Sequence, residues 1–148
     1  MKKVLLLVLT GIALLTGFSL ANGSAPSRAA SDPLGSDAET ALEQLRMAYV
    51  QEDSGSFFDA VSERGSFSSL DFKTQVTRHW TDFSQVDLLI TVDHTLKSDG
   101  KAVLKTHWQK RAVRDRTGRS EMSEGRAEFV FGPGPAFKLL NIHGDSPF

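Results

Sequence analysis

The sequence predicts an α+β fold: three N-terminal helices packed on a strongly curved four-stranded antiparallel sheet. Three observations carry this prediction. Between residues 36 and 83 the apolar residues recur at helical spacing. From Val86 onward they alternate with polar residues, the period of two expected of strands with one wet face. The turn sequences Ser98-Asp99-Gly100, Arg116-Thr117-Gly118-Arg119 and Gly132-Pro133-Gly134-Pro135 cut that second half into four runs.

Two segments precede the predicted domain of residues 36–148. Residues 1–21 read as a secretory signal peptide: Lys2 and Lys3, an apolar run from Val4 to Leu20, then small residues at Ser19 and Ala21 that suit cleavage after Ala21. The competing reading is an uncleaved anchor, since the run nearly reaches membrane-spanning length. The small residues that follow at once favour cleavage, so no stable membrane span is expected in the mature chain. Its expected location is the periplasm or the exterior. Residues 22–35, rich in Ser, Ala and Gly and broken by Pro26 and Pro33, read as a flexible leader.

Cleavage would leave 127 residues and shift the formal charge from −1 to −3. That is enough chain for one well-buried core. A nearly balanced charge gives no reason to expect a nucleic acid partner. The chain has no cysteine, so neither a disulfide nor a lipid-bearing N-terminal Cys is available.

The first helix is expected to start at Ser36. Ser36-Asp37-Ala38-Glu39 has the form of a capping box, in which the serine hydroxyl and the glutamate satisfy each other's backbone amides. Ala38, Ala41, Leu42, Leu45, Ala48 and Tyr49 form one stripe along a helix ending near Glu52. A short helix around Ser56 to Ser62 follows, with a break at Gly65. Phe72, Val76, Trp80 and Phe83, spaced four, four and three, put four large apolar groups on one face of a third helix. Asp71 sits where the helix dipole favours an anion.

Strand register can be tested by pairing. A three-residue loop Ser98–Gly100 would pair Lys97 with Lys101. Leu96 then faces Ala102, Val92 faces Thr106 and Ile90 faces Trp108. A four-residue loop from Asp115 to Gly118 pairs Arg114 with Arg119, so Trp108 faces Gly125 and Leu104 faces Phe129. The indole meets the one residue without a side chain, and glycine there permits the bend of a curved sheet. Asp93, Lys105, His107, Gln109, Glu124, Arg126 and Glu128 fall on the opposite face. They read as a solvated, salt-bridged surface rather than an anion-binding site. A fourth strand is expected from Ala136 to Ile142. It is apolar on both faces, so its register stays open. A second apolar face there would be a candidate dimer surface.

The ending Gly125 … Phe129-Val130-Phe131 … Phe137-Lys138-Leu139 … Ile142 … Gly144-Asp145, with Trp108 on the preceding strand, resembles the nuclear transport factor 2-like superfamily (SnoaL-like domains) from Ser36 to Phe148. Phe137 stands where tryptophan is commoner. The resemblance implies a bent sheet wrapping the helices into a cone, often with an apolar pocket inside. It leaves function open, because such folds serve isomerases, dehydratases, hydrolases and non-enzymatic modules alike.

The expected cone lining is Tyr49, Trp80, Ile90, His94, Thr106, Trp108 and Phe129. On the inward face of the strands only His94 and Thr106 are polar in this reading. His94 is the candidate general base, with Asp59 or Glu63 as the carboxylate a helix would bring to it. An inner face lacking acid–base pairs points instead to a non-catalytic binding or interaction module. Its partner would be an apolar small molecule, an envelope protein or a second copy in a homodimer. The alternative is a small isomerase, dehydratase or hydrolase using His94. The histidines are not spaced for a metal site and no cofactor motif is present, so neither a metal nor a cofactor is expected.

Overall fold

The computed structural model describes residues 33–63, 65, 70–133 and 137–148. Residues 1–21, read as a signal peptide, most of the expected leader and residues 134–136 of the last expected turn lie outside them. Three helices, α1 (Pro33–Val50), α2 (Ser54–Asp59) and α3 (Leu70–Asp82), precede four strands, β1 (Phe83–Ser98), β2 (Lys101–Arg114), β3 (Arg119–Phe131) and β4 (Leu139–Gly144). The strands form one antiparallel sheet in the order β1-β2-β3-β4. One face of that sheet carries the helices. Among the described residues no helix is long and apolar enough to cross a membrane.

α1 opens at Pro33, three residues ahead of the expected Ser36. Proline is suited to a first helical turn, where its missing N–H would be unpaired anyway. Ser36 is therefore already helical. Its carbonyl accepts the Thr40 hydroxyl at 2.9 Å, and the capping-box role falls away. The expected stripe is the buried one: Ala38, Leu42, Leu45, Ala48 and Tyr49. The helix ends in a left-handed residue, Glu52 at φ 57°, and the Asp53 amide reaches back to the Ala48 carbonyl at 2.9 Å. Asp53 then caps α2, its carboxylate accepting the Ser56 amide at 3.1 Å. α2 is thus shifted toward the N-terminus of the expected Ser56–Ser62. After it, Val61 bridges Leu139, and the Ser62 amide donates to the Leu139 carbonyl at 2.8 Å.

The second hairpin has the expected register, with Trp108 opposite Gly125, Leu104 opposite Phe129 and Arg114 opposite Arg119. Leu104 and Phe129 are both fully buried and Trp108 is nearly so. The indole N–H donates to the Asp145 carbonyl at 2.8 Å. A β-carbon added at Gly125 would lie 2.7 Å from the Trp108 ring, so the absence of a side chain there is a packing requirement.

The first hairpin differs from the expected one. Asp99 (φ 53°) and Gly100 (φ 72°) make a two-residue turn that pairs Ser98 with Lys101. Two consecutive left-handed residues give the twist that matches flanking strands, which a three-residue loop does not improve on. Pairing near the turn is therefore one residue out: Lys97 meets Ala102 and Leu96 meets Val103. A bulge at Asp93, between Val92 and His94, absorbs the offset and restores Val92 opposite Thr106 and Ile90 opposite Trp108. Between bulge and turn the faces are exchanged. Leu96 is half exposed and His94 lies on the surface.

β4 begins at Leu139 rather than Ala136. Ile142 faces Phe129 and Leu139 faces Phe131, with a bulge between Val130 and Phe131. That bulge lets Leu139 and Ile142, three residues apart, both enter the core. Leu140 is half-buried and packs where a Gly132 side chain would stand. The strand's second apolar face is thereby partly covered within the chain.

Candidate functional site

The interior between helices and sheet is where α1, α3, β2 and the chain end converge. Tyr49, in the last turn of α1, is fully buried. The rings of Phe57, His79, Trp80 and Phe148 surround it, with centroids 5.0–5.9 Å away. Trp80 on α3 ties the two helices together by donating its indole N–H to the Tyr49 carbonyl at 2.9 Å.

Three polar groups meet inside this apolar shell. The Tyr49 hydroxyl lies 3.0 Å from His79 Nδ1, and Lys110 Nζ lies 3.4 Å from the Tyr49 hydroxyl. An ammonium can only donate, so the tyrosine proton is available to His79 Nδ1. The arrangement is a short relay from Lys110 through Tyr49 to His79. Burial, reinforced by the Lys110 charge, pushes the His79 pKa down to about 4, so the imidazole is neutral at pH 7. Burial alone lowers Lys110 to about 8 and raises Tyr49 above its usual range. His79 is also held by stacking on Phe83, at 4.6 Å and 16°, and the Arg114 guanidinium covers the other ring at 4.5 Å.

Sequence reasoning missed Lys110, as it missed His79 and Phe148. Lys110 sits between Trp108 and Ala112 on β2, at a position whose parity turns it inward, yet its charge kept it off the expected inner face. Strict alternation along β2 was the signal that would have found it. Its Nζ donates to the Pro147 carbonyl at 2.6 Å. Pro147 is fully buried, and the Phe148 ring lies 5.0 Å from Tyr49, 5.2 Å from Phe57 and 6.0 Å from Phe129. The last three residues of the chain therefore place a carbonyl on the lysine and an aromatic ring in the apolar interior.

The expected lining residues separate accordingly. Tyr49, Thr106, Trp108 and Phe129 are buried, while Trp80 and Ile90 are partly so. Thr106 is taken up structurally, its hydroxyl donating to the Ala127 carbonyl at 3.0 Å. His94 is a correction: the bulge at Asp93 turns it to solvent, away from the interior. Asp59 and Glu63 are exposed as well.

The opposite face of the sheet carries the charges. Lys105 pairs with Glu128 at 3.1 Å, and His107 Nδ1 meets Asp93 at 2.8 Å. A broad depression of about 1110 Å³ lies over Lys105, His107, Gln109, Glu124 and Arg126. Its exposed ion pairs satisfy one another and each contributes only a few tenths of a kcal/mol. The chemistry that is desolvated, and so carries the larger electrostatic effects, is on the interior side.

No family model and no curated protein matches the chain. Solved structures do. A nuclear transport factor 2-like superfamily protein from Salmonella enterica serovar Typhimurium is similar over 78% of this chain and 92% of its own, with a TM-score of 0.61 at 14% identity. A conserved protein from Planctomyces limnophilus is similar over 72% and 94%, with a TM-score of 0.62 at 12% identity. The chain has the nuclear transport factor 2-like fold. A ketosteroid isomerase-like protein from Erwinia carotovora atroseptica shares this fold over 76% of this chain and 97% of its own, with a TM-score of 0.60 at 10% identity. Identities this low establish architecture alone.

Proposed function

We propose that the protein is an exported, non-catalytic binding module whose cone interior takes an apolar small molecule. In this reading the Ser146–Phe148 segment fills that place until a ligand displaces it. The observation that carries it is the seating of Pro147 and Phe148. A carbonyl on Lys110 beside an aromatic ring among Tyr49, Phe57 and Phe129 has the form of an internal ligand. Asp145 is anchored separately, through Arg126 and Trp108, so the segment beyond it can leave without unpairing the sheet. The export part of the proposal, with the periplasm or the exterior as the proposed compartment, is supported by the signal-peptide pattern of residues 1–21.

The reading of a small isomerase, dehydratase or hydrolase built on His94 loses its residue, because that imidazole is on the surface. His79 is interior, but its Nδ1 is already engaged by the Tyr49 hydroxyl. A second copy of the chain is the proposed protein partner, meeting the outer face of the sheet where Leu89 and Met122 are exposed. Native mass spectrometry of protein from its own envelope reads out that association, and an exclusively monomeric species would contradict it.

The binding reading is tested with N-phenyl-1-naphthylamine, an uncharged apolar fluorophore, on the full chain and on Phe148→Ala. Removing the ring frees interior volume. The variant should bind the probe about tenfold more tightly than the wild type. A folded Phe148→Ala protein with no saturable binding would overturn the reading.

A further inference from the structure

Lys110 brings a charge into the interior, and the groups it touches there are neutral. Lys110 Nζ contacts the Pro147 carbonyl at 2.6 Å, the Tyr49 hydroxyl at 3.4 Å and the Tyr49 ring face at 5.7 Å. Among the described residues, no carboxylate lies within ion-pair distance of it. His79, its other titratable neighbour through Tyr49, supplies no anion. A half-buried ammonium left without a counter-charge is unusual, because desolvation is normally offset by an opposite charge. The Pro147 carbonyl brings one acceptor and no charge.

We infer that the ligand of the cone is an apolar monocarboxylate, its carboxylate on Lys110 and its hydrocarbon body in the place of the Phe148 ring. The inference rests on the binding reading above and specifies its ligand class. A carboxylate oxygen takes over the hydrogen bond of the Pro147 carbonyl and adds the missing negative charge. The Tyr49 hydroxyl, 3.4 Å from the same ammonium, borders the head-group position. The walls beyond are Phe57, Trp80 and Phe129, which offer an apolar body only hydrophobic contact. Charge-assisted hydrogen bonds are about twice as strong as neutral ones, so an anion out-competes the chain's own carbonyl where an alcohol of equal length does not.

The test compares octanoate with octanol by isothermal titration calorimetry on four full-chain proteins: wild type, Lys110→Met, Lys110→Arg and Phe148→Ala. Methionine keeps the aliphatic bulk without the charge, and arginine keeps the charge. Octanoate should bind wild type and Phe148→Ala, weaken about tenfold or more in Lys110→Met, and return to within about threefold in Lys110→Arg. Octanol should bind weakly and be indifferent to position 110. If octanoate and octanol bind alike and neither responds to Lys110→Met, charge selection is overturned while the apolar cone site stands. If neither binds even Phe148→Ala, the cone site itself is overturned and this inference goes with it.

Discussion

Lys110 illustrates how a residue can be held against stability. Its ammonium is partly desolvated, with only a carbonyl and a hydroxyl to compensate. Replacing it by methionine removes that cost and loses two hydrogen bonds, one of them long at 3.4 Å. We expect Lys110→Met to raise the unfolding free energy at pH 7 by about 1 kcal/mol, the full desolvation penalty being reduced by the solvent the group still sees. The pH dependence has a definite sign. The folded pKa of about 8 lies below the ordinary lysine value of 10.5, so above pH 8 the unfolded chain binds more protons. Wild-type stability should therefore gain on the variant between about pH 8 and 10.5, in urea melts of both proteins. An advantage for lysine at pH 7 would contradict this. Gly125 is the complementary case. Gly125→Ala should cost about 1–3 kcal/mol, since the new methyl meets the Trp108 ring and the Asp145 side chain at 2.7 Å. A neutral urea midpoint would mean that the ring moves aside freely. The Trp108–Gly125 pairing was legible from the loop length, with the residue sizes agreeing, whereas Lys110 was not, because an inward charge runs against the pattern that identifies inward positions.

At the scale of elements, the sequence announces where structure turns more reliably than how. The stripe on α1 and the Phe72, Val76 and Trp80 face of α3 follow directly from spacing, whereas Phe83, expected on that helix, opens β1; the second hairpin follows from its loop length. The Asp99-Gly100 turn is shorter by one residue than expected, and the Asp93 bulge compensates. Such a bulge is invisible to alternation: its two errors cancel beyond Val92 and leave only His94 and Leu96 misplaced. The fourth strand shows the same limit, since the bulge at Val130 decides which of its apolar residues enter. The end of α1 offers a measurable case. Glu52 holds a left-handed conformation that a side chain disfavours by about 1–2 kcal/mol. Glu52→Gly should stabilise the protein by about 0.5–1 kcal/mol after the entropy of a more flexible unfolded chain is subtracted. Thermal unfolding of the pair reads this out, and a lowered midpoint would mean that the glutamate side chain contributes more than its backbone costs.

At the scale of the whole molecule, the architecture was readable because a cone needs only helices, alternating strands and a glycine at the bend. The apolar lining was partly readable, since Tyr49, Thr106, Trp108 and Phe129 are buried as expected, but the contacts made inside the cone were not. They depend on residues distant in sequence, with Tyr49 on α1, His79 on α3, Lys110 on β2 and Phe148 beyond β4 brought within hydrogen-bond or ring contact. In this chain the interior charge of Lys110 is answered by the chain's own Pro147 carbonyl, beside the Phe148 ring. The most direct test of that claim is a fluorine NMR titration of protein carrying 4-fluorophenylalanine at position 148. A displaceable internal ligand predicts a buried resonance that moves toward the solvent-exposed position as octanoate is added, in proportion to occupancy. Saturating octanoate that leaves the resonance in place would show the ring to be a permanent part of the core, and would contradict the account.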